Sequence, residues 1–382
     1  MRSTSRRLAG VAAVATICLA VAACGSSSKA ASTSKNSDAA KATSAADLGG
    51  MDALVTAAKK EGTLNAITLP RDWANYGEIM DSFTKKYGIK IQDDNPEGSS
   101  QDEINAVNSL KGQSRAPDVL DLGGAFAQSG AASHLFAPYK VATFADLPAG
   151  QADPNANWYY DYGGYVSIGC DAKKVTPCPK TFADLKNPAY KGKIALNGDP
   201  TKAGAAFAGV FAAALANGGT FDNIQPGIDF FAALKKAGNF NPVQATTATI
   251  QNGETPITVD WDYLNAGYVD ALKAKGIDWQ VAVPTDGVYA NYYCQAISAY
   301  APHPAAARLW EEYLYSDEGQ NLFLKGKARP VRLAAMTKAS TVNAAYASAL
   351  PPVTGETKFP TNDQIDAAKK VLVAKWSAAL TG

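Results

Sequence analysis

Aromatic and carboxylate side chains occur together at several places in this 382-residue sequence, a combination suited to binding a small organic cation. The strongest case is Trp261-Asp262-Tyr263, which directly follows the apolar run ITVD. An ammonium group over the Trp261 ring and paired with Asp262 would gain about 1–2 kcal/mol from each contact once water is excluded. Tyr263 adds a hard oxygen donor. The alternative is structural, with Trp261 in the core and Asp262 capping a helix.

Further candidates lie in loops that follow predicted strands, the position from which α/β proteins contact ligands. They are Trp73 after TLNAITL, Asp121 at the end of DVLDL, and Tyr162 with Gly163 in the aromatic segment 159–164. Asp121 and Asp161 could hold a second amine. The tyrosines of this segment could instead pack beneath a hinge.

A possible anion site lies in the segment 198–204, GDPTKAG, which precedes an Ala-rich predicted helix. The free N–H groups between Thr201 and Gly204 could receive an anionic group, and plain helix capping is the alternative. Tyr292 is the last candidate. It precedes the predicted strand CQAISAY, whose alternating faces would bury either Tyr292 or Tyr293.

Enzymatic chemistry finds little support in the sequence. It contains two histidines, His134 and His303, and lacks a G-x-S-x-G elbow, a Walker A loop and an H-E-x-x-H motif. The acid pairs Asp93-Asp94 and Asp102-Glu103 are predicted to be solvated and to complement helix dipoles. With 36 basic and 35 acidic residues, the net charge of +1 also argues against nucleic acid as a partner. We therefore expect no catalytic residues, no metal site and no cofactor.

The amino terminus is typical of an export signal. Arginines precede an apolar run over residues 8–23, so we interpret 1–23 as a signal peptide. Small residues directly before Cys24 resemble a bacterial lipobox, in which Cys24 is lipidated and anchors the protein to the outer face of the cytoplasmic membrane. The alternative is an ordinary cleavage site with a chance cysteine. Residues 24–50 are rich in Ser, Ala, Lys and Thr, which predicts a flexible tether.

The remaining cysteines allow one short bridge. Cys170 and Cys178 enclose the loop DAKKVTP, and export permits a disulfide between them. Cys294 is left over. The alternative is three unpaired thiols.

These residues are carried by alternating helical and strand patterns. Helical stripes such as Tyr76, Ile79, Met80 and Phe83 separate short apolar strands, which predicts an α/β fold with mixed, mostly parallel sheets flanked by helices. A single core seldom exceeds about 250–300 residues, so two lobes are expected. A last helix is predicted over 363–380, with Ile365, Ala368, Leu372, Trp376 and Leu380 on one stripe.

Three passages, at 54–65, 181–200 and 301–332, resemble the extracellular solute-binding proteins of bacterial ABC importers, in the cluster for iron, polyamines, thiamine and aminophosphonates. The resemblance implies a type II periplasmic-binding-protein fold, a non-enzymatic monomer that binds a solute in a hinged cleft and delivers it to a membrane permease. We expect lobe 1 to comprise 51–163 plus 290–335 and lobe 2 to comprise 164–289 plus 336–382.

The resemblance also bears on the ligand. Iron-binding relatives carry adjacent tyrosines where this chain has Asp262-Tyr263, and polyamine-binding relatives carry a tryptophan and a carboxylate, as in Trp261-Asp262. A polyamine or related amine is therefore the expected ligand. The alternatives are 2-aminoethylphosphonate, another small zwitterion or ferric ion, and, in a different class, an exported hydrolase with an unrecognised site.

Overall fold

The computed structural model describes residues 38–354 and 359–381. The expected signal peptide, lipidated Cys24 and the first part of the tether lie outside the described residues. Within the described part, no helix is long and apolar enough to cross a membrane.

The described elements alternate between strands and helices, as the hydrophobic periods predict. The strands are β1 (Thr63–Ile67), β2 (Lys90–Asp94), β3 (Val119–Gly123), β4 (Phe136–Ala137), β5 (Tyr159–Asp171), β6 (Ile194–Leu196), β7 (Ile257–Trp261), β8 (Trp279–Ala282), β9 (Ala290–Ser298) and β10 (Arg329–Pro330). The helices are α1 (Met51–Glu61), α2 (Tyr76–Tyr87), α3 (Ser100–Ser109), α4 (Gly124–Ala132), α5 (Gly204–Ala216), α6 (Gln225–Ala237), α7 (Thr247–Asn252), α8 (Asp262–Ala274), α9 (Pro304–Leu314), α10 (Asp317–Lys325), α11 (Leu333–Ala339), α12 (Ala344–Ser348) and α13 (Asn362–Thr381).

Two strands join the elements into one molecule. The first half of β5 pairs antiparallel with β9, and its second half pairs antiparallel with β7 and β8. β9 also pairs antiparallel with β3. β5 therefore connects an amino-terminal group of elements, residues 51–137, with a central group, residues 194–282. The boundary proposed between residues 163 and 164 falls inside this shared strand.

Pairing direction differs from strand to strand. β1 pairs parallel with β2, and β6 pairs parallel with β7, as helix-linked strands should. The larger sheet is mixed, as expected, but the pairs formed by β5 and β9 are antiparallel, so most of its pairs are antiparallel rather than parallel. The sequence could not reveal this, because direction depends on which strands meet and not on their apolar patterns.

The segment 38–50 is packed rather than flexible, which corrects the carboxyl end of the expected tether. Ala39 and Ala42 are buried, and the buried Arg308 side chain of α9 donates hydrogen bonds to the carbonyls of Ala40 (3.0 Å) and Ala42 (2.8 Å). A guanidinium with several donors compensates for the polarity of the segment's backbone. Composition alone did not indicate this partner, which lies some 260 residues away.

The cysteines are arranged as the sequence suggests. Cys170 at the end of β5 forms a disulfide with Cys178, and their Cα atoms are 5.9 Å apart. Cys294 in β9 is buried and unpaired within the described part of the chain.

The last helix touches both groups of elements. Trp376 of α13 contacts Phe231 of α6, with ring centroids 5.9 Å apart. About two helical turns closer to the amino end of α13, Lys369 Nζ lies 3.3 Å from the ring centroid of Phe126 in α4. In the predicted stripe, Ile365, Ala368, Leu372 and Trp376 are buried, and Leu380 is partly buried against the core.

Candidate ligand-binding site

A cavity of about 210 Å³ lies between the amino-terminal and central groups of elements. This volume suits a small solute rather than a macromolecule. The amino-terminal side contributes residues of the β1–α2 loop, the β2–α3 loop, α3 and β3, and the central side contributes the β6–α5 segment. The lining residues are Thr68, Pro70, Trp73, Pro96, Glu97, Gly98, Ser99, Ser100, Asp102, Glu103, Asp121, Asn197, Gly198, Asp199, Lys202, Ala203, Gly204, Ala205, Gln244 and Tyr293.

Two buried carboxyl groups lie together in this lining. Asp121 lies in β3 beside Glu103 of α3, and the Asp121 backbone N–H donates to Glu103 Oε2 over 2.9 Å. Among the described residues, Asp121 Oδ1, Glu103 Oε1 and Thr68 Oγ1 have no hydrogen-bond partner although they are buried. Unpaired acceptors are costly in a protein interior. The site therefore offers three buried oxygens to a ligand that donates hydrogen bonds.

Burial keeps these carboxyl groups from ionising readily. It raises the pKa of Asp121 to about 7, although hydrogen bonds from Tyr162 and Tyr76 oppose the rise. Burial also raises the pKa of Glu103 well above its usual value, and the nearby charge of Asp121 adds to this effect. A bound cation would favour the ionised forms of both.

Two aromatic rings stand beside the carboxyl groups. Trp73 and Tyr293 meet edge to face, with centroids 5.4 Å apart. The Trp73 indole N–H donates to the Tyr162 hydroxyl over 2.6 Å, and this hydroxyl donates to Asp121 Oδ2 over 2.6 Å. The structure thus brings together Trp73 and Asp121, which the sequence predicts separately, and places Tyr162 behind them.

The central side of the cavity is more polar and more exposed. Lys202 and Asp199 lie at its edge, and Gly204 lines it at the first turn of α5. Thr201 is not among the residues that line the cavity. Its N–H and its hydroxyl both donate to Asp199 Oδ1, over 2.9 and 2.8 Å. Thr201 therefore takes part in a local turn beside the site.

The two sides are in direct contact. The Gln101 N–H donates to the Lys202 carbonyl over 3.2 Å, and the Thr247 hydroxyl donates to Asp72 over 2.7 Å. A Cβ atom on Gly204 would lie 3.0 Å from the Cα of Gly123. The cavity therefore lies between two surfaces that already touch.

The Trp261-Asp262-Tyr263 motif lies behind the cavity rather than in its lining. Asp262 is fully buried, forms an ion pair with Arg329 Nη1 at 2.6 Å, and accepts the Tyr165 N–H over 2.9 Å. Tyr263 is also buried. All five residues of β7 are buried, so both faces of this strand are covered, and Asp262 and Tyr263 after it are buried as well.

The other predicted residues are close to the cavity without lining it. Trp261 is buried and, with Tyr292, lines a narrow neighbouring space of about 10 Å³. Gly163 lies within β5, where a Cβ atom would clash with the Asn291 carbonyl oxygen. Close packing of the backbone therefore explains why glycine occupies this position.

Glu103 is the residue that sequence reasoning missed. It was expected to be solvated at a helix start, but it is buried on the same face of α3 as Ser100 and Val107. The spacing of Glu103 and Val107 puts them on one helix face, and this signal could have indicated a buried carboxylate.

The acidic, histidine and cysteine side chains were also compared with the arrangement that a metal ion needs. Within residues 38–354 and 359–381, no group of three or more His, Cys, Asp or Glu is arranged to hold a metal ion. The single tyrosine of the Asp262-Tyr263 pair is buried away from the cavity lining.

A mixed α/β fold with a small polar cavity between two groups of elements defines a two-lobed binding protein of the type II periplasmic class. The chain belongs to the bacterial extracellular solute-binding proteins, the family that residues 114–359 match. Members of this class in ABC importers bind small ligands and deliver them to a permease. The family and its structural neighbours are solute-binding proteins rather than enzymes, and they are exported.

Solved structures share this fold at low identity. AfuA from Actinobacillus pleuropneumoniae, with fructose-6-phosphate bound, is 16% identical, with a TM-score of 0.64 over 84% of this chain and 99% of that one. Iron-bound HitA from Pseudomonas aeruginosa is 21% identical, with a TM-score of 0.57 over 81% and 97%. A Listeria monocytogenes protein assigned to spermidine/putrescine ABC transport is 13% identical, with a TM-score of 0.61 over 83% and 99%. No curated protein sequence matches the chain.

Proposed function

We propose that this protein is the solute-binding component of an ABC importer for a small organic cation, a polyamine or related amine. The observation that carries the proposal is the pair of buried carboxyl groups, Asp121 and Glu103, each with one unpaired oxygen beside Trp73 and Tyr293. An ammonium group supplies hydrogen-bond donors for both oxygens and a positive charge for the indole face.

The charges around the cavity support the same conclusion. Glu97, Asp102 and Asp199 join the two buried carboxyl groups in the lining, against one basic residue, Lys202. A cleft lined mainly by one sign of charge concentrates ligands of the opposite sign. The ligand contacts we propose are therefore Trp73, Asp121, Glu103 and Tyr293, with Gly204 on the facing side.

The cellular setting is part of the proposal. A lipid on Cys24 would hold the exported protein at the outer face of the cytoplasmic membrane, where it acts as a monomer and passes its ligand to the permease subunits. The lobe boundaries given above describe the two parts that would close on the solute. Labelling with a lipid precursor, with a Cys24→Ser variant as control, tests the anchor.

Calorimetric titration with putrescine and spermidine tests the ligand class. We expect saturable binding at one site, and a ligand at about 100 times its dissociation constant should stabilise the protein by about 2.7 kcal/mol. Asp121→Asn and Glu103→Gln should each weaken binding at least about tenfold, because each removes a charge-assisted contact. Glu312→Gln is the matched control, since Glu312 is a buried carboxyl group outside the cavity lining.

A zwitterion is the second candidate. Lys202 lies beside the amino end of α5, and the amino end of α3 faces the same cavity, so an anionic group could be held opposite the carboxyl pair. Titration with 2-aminoethylphosphonate and a ferric chelate in parallel with the amines distinguishes these ligands. Binding of the phosphonate alone, lost in Lys202→Met, would contradict the amine proposal. Recovery of the ligand chemically unchanged excludes a hydrolase.

A further inference from the structure

The hydroxyl of Tyr162 connects two residues that line the cavity from different elements. Trp73 lies in the loop after β1, and Asp121 lies in β3. The Tyr162 hydroxyl accepts from the Trp73 indole N–H and donates to Asp121 Oδ2, both over 2.6 Å. This bond occupies Oδ2, and Oδ1 has no partner among the described residues. The Tyr162 hydroxyl therefore holds one carboxylate oxygen of Asp121, with Tyr76 as a second hydrogen-bond partner of this carboxyl, and it also fixes how the indole is turned.

The Tyr162 ring is itself held firmly. It stacks on Phe323 and on Tyr293, with centroids 4.5 and 5.8 Å away. It is fully buried and does not line the cavity. Tyr162 can therefore act on a ligand through Trp73 and Asp121 but has no direct contact with the cavity.

The backbone position of Tyr162 is also unusual. The register between β5 and β9 shifts between Tyr160 and Gly163, so Tyr162 lies in an irregularity of the strand that joins the two groups of elements. Bulges of this kind redirect a side chain. Here the irregularity directs the hydroxyl toward the Trp73 and Asp121 side chains.

We propose that Tyr162 is a positioning residue that aligns the Trp73 indole and the free oxygen of Asp121 on one ligand cation. The proposal rests on the amine-binding function proposed above. Tyr162 thus replaces the direct ligand contact expected from the sequence with an indirect role.

Tyr162→Phe tests the proposal, because it keeps the stacked ring and removes only the hydroxyl. We expect putrescine affinity to fall about tenfold, the usual effect of losing a hydrogen bond to a charged group. Trp73→Phe combined with Tyr162→Phe should be less than additive, because both act through the same oxygen. Additive effects, or unchanged affinity in Tyr162→Phe, would overturn the proposal.

A readout without ligand separates this inference from the proposed function. The Tyr162 hydrogen bond opposes the raised pKa of Asp121, so NMR titration of the ligand-free protein should show a higher Asp121 pKa in Tyr162→Phe than in the wild type. An unchanged Asp121 pKa overturns the positioning role even if amines bind. Failure of the wild type to bind any amine, with the pKa shifted as expected, overturns the ligand class instead.

Tyr139→Phe is the matched control. Its hydroxyl donates to the Glu312 carboxylate over 2.8 Å, a tyrosine–carboxylate bond of the same kind outside the cavity lining. We expect this variant to leave putrescine affinity and the Asp121 pKa at wild-type values. A loss of affinity equal to that of Tyr162→Phe would mean that the effect of Tyr162→Phe is general destabilisation, which also overturns the proposal.

Discussion

Single carboxyl groups decide what this cavity can bind. Asp121 faces Tyr162 of β5, Tyr76 of α2, and the acidic groups of Glu103 and Asp161. With no basic partner in that set, burial raises its pKa to about 7. In the empty site near neutral pH, Asp121 therefore exchanges a proton easily, and a bound ammonium can take the place of that proton.

Amine affinity should consequently depend on pH. Below the Asp121 pKa of about 7 the carboxyl is protonated and must lose its proton to pair with the cation, so affinity should fall about tenfold per pH unit. Calorimetry of putrescine binding from pH 5.5 to 8.5 measures this, and buffers of different ionisation enthalpy report the released proton. Glu312→Gln, which changes a buried carboxyl group outside the cavity lining, should keep the profile, and a flat profile in the wild type would contradict the prediction.

The same groups make the ligand-free protein less stable as pH rises. The pKa of Asp121 is about 7 in the folded protein, but near 4 in the unfolded chain. Below about pH 4 both states are protonated. Between the two values only the folded state keeps the proton, so the free energy of unfolding decreases as pH increases. Thermal melting of wild type and Asp121→Asn should show a steeper decrease in the wild type over pH 4–7, and equal slopes would contradict it.

At the scale of elements, the site depends on two helices, α4 and α5, whose amino ends lie against each other. α4 begins at Gly124 directly after β3, and α5 begins at Gly204. Neither Gly123 nor Gly204 has a positive φ, so glycine is required at these positions by close approach and not by backbone conformation. The contact between them lets the two sides of the cavity come together.

Gly204→Ala should therefore weaken ligand binding. The new Cβ would lie 3.0 Å from Gly123 Cα and 3.2 Å from the Tyr293 hydroxyl, closer than ordinary contact, so the two sides must separate. We expect putrescine affinity to fall by about fivefold or more, because overpacking costs about 1–3 kcal/mol. Calorimetry measures the affinity. Gly267→Ala in α8 is the control, since its Cβ would meet no atom within 4 Å, and equal affinities in the two variants would contradict the prediction.

What the sequence could predict differs between elements for physical reasons. The α13 stripe was predictable because one apolar face of a helix is a local pattern. The burial of Asp262 was not, because its partner Arg329 is 67 residues away. Trp73 and Asp121 were found from their positions after strands, but their link through Tyr162 depends on a register shift that no local pattern shows.

At the scale of the molecule, α13 extends across both groups of elements. Its Ile365 side chain is buried close to Gly124 in α4, and its Trp376 packs on α6. A helix that contacts both sides stabilises their present arrangement. α13 therefore stabilises the contact between the two groups of elements beside the cavity as well as the folded state of the protein.

Ile365→Ala should affect both properties. Removing this buried side chain should lower the free energy of unfolding by about 2–5 kcal/mol, and loosening the contact with α4 should also reduce amine affinity. Denaturant unfolding and calorimetry measure the two effects. Val373→Ala on the same helix is the control, because Val373 is 54% exposed. A loss no larger than in the control would contradict the bridging role of α13.

The tryptophans offer a built-in optical signal of occupancy. The sequence contains six, and Trp158, Trp261, Trp279, Trp310 and Trp376 are buried, whereas Trp73 is partly open to solvent at the cavity. A soluble quencher such as acrylamide should then reach Trp73 preferentially, and a solute lying against its ring should shield it. Native emission can accordingly be used to screen unmodified protein against collections of metabolites.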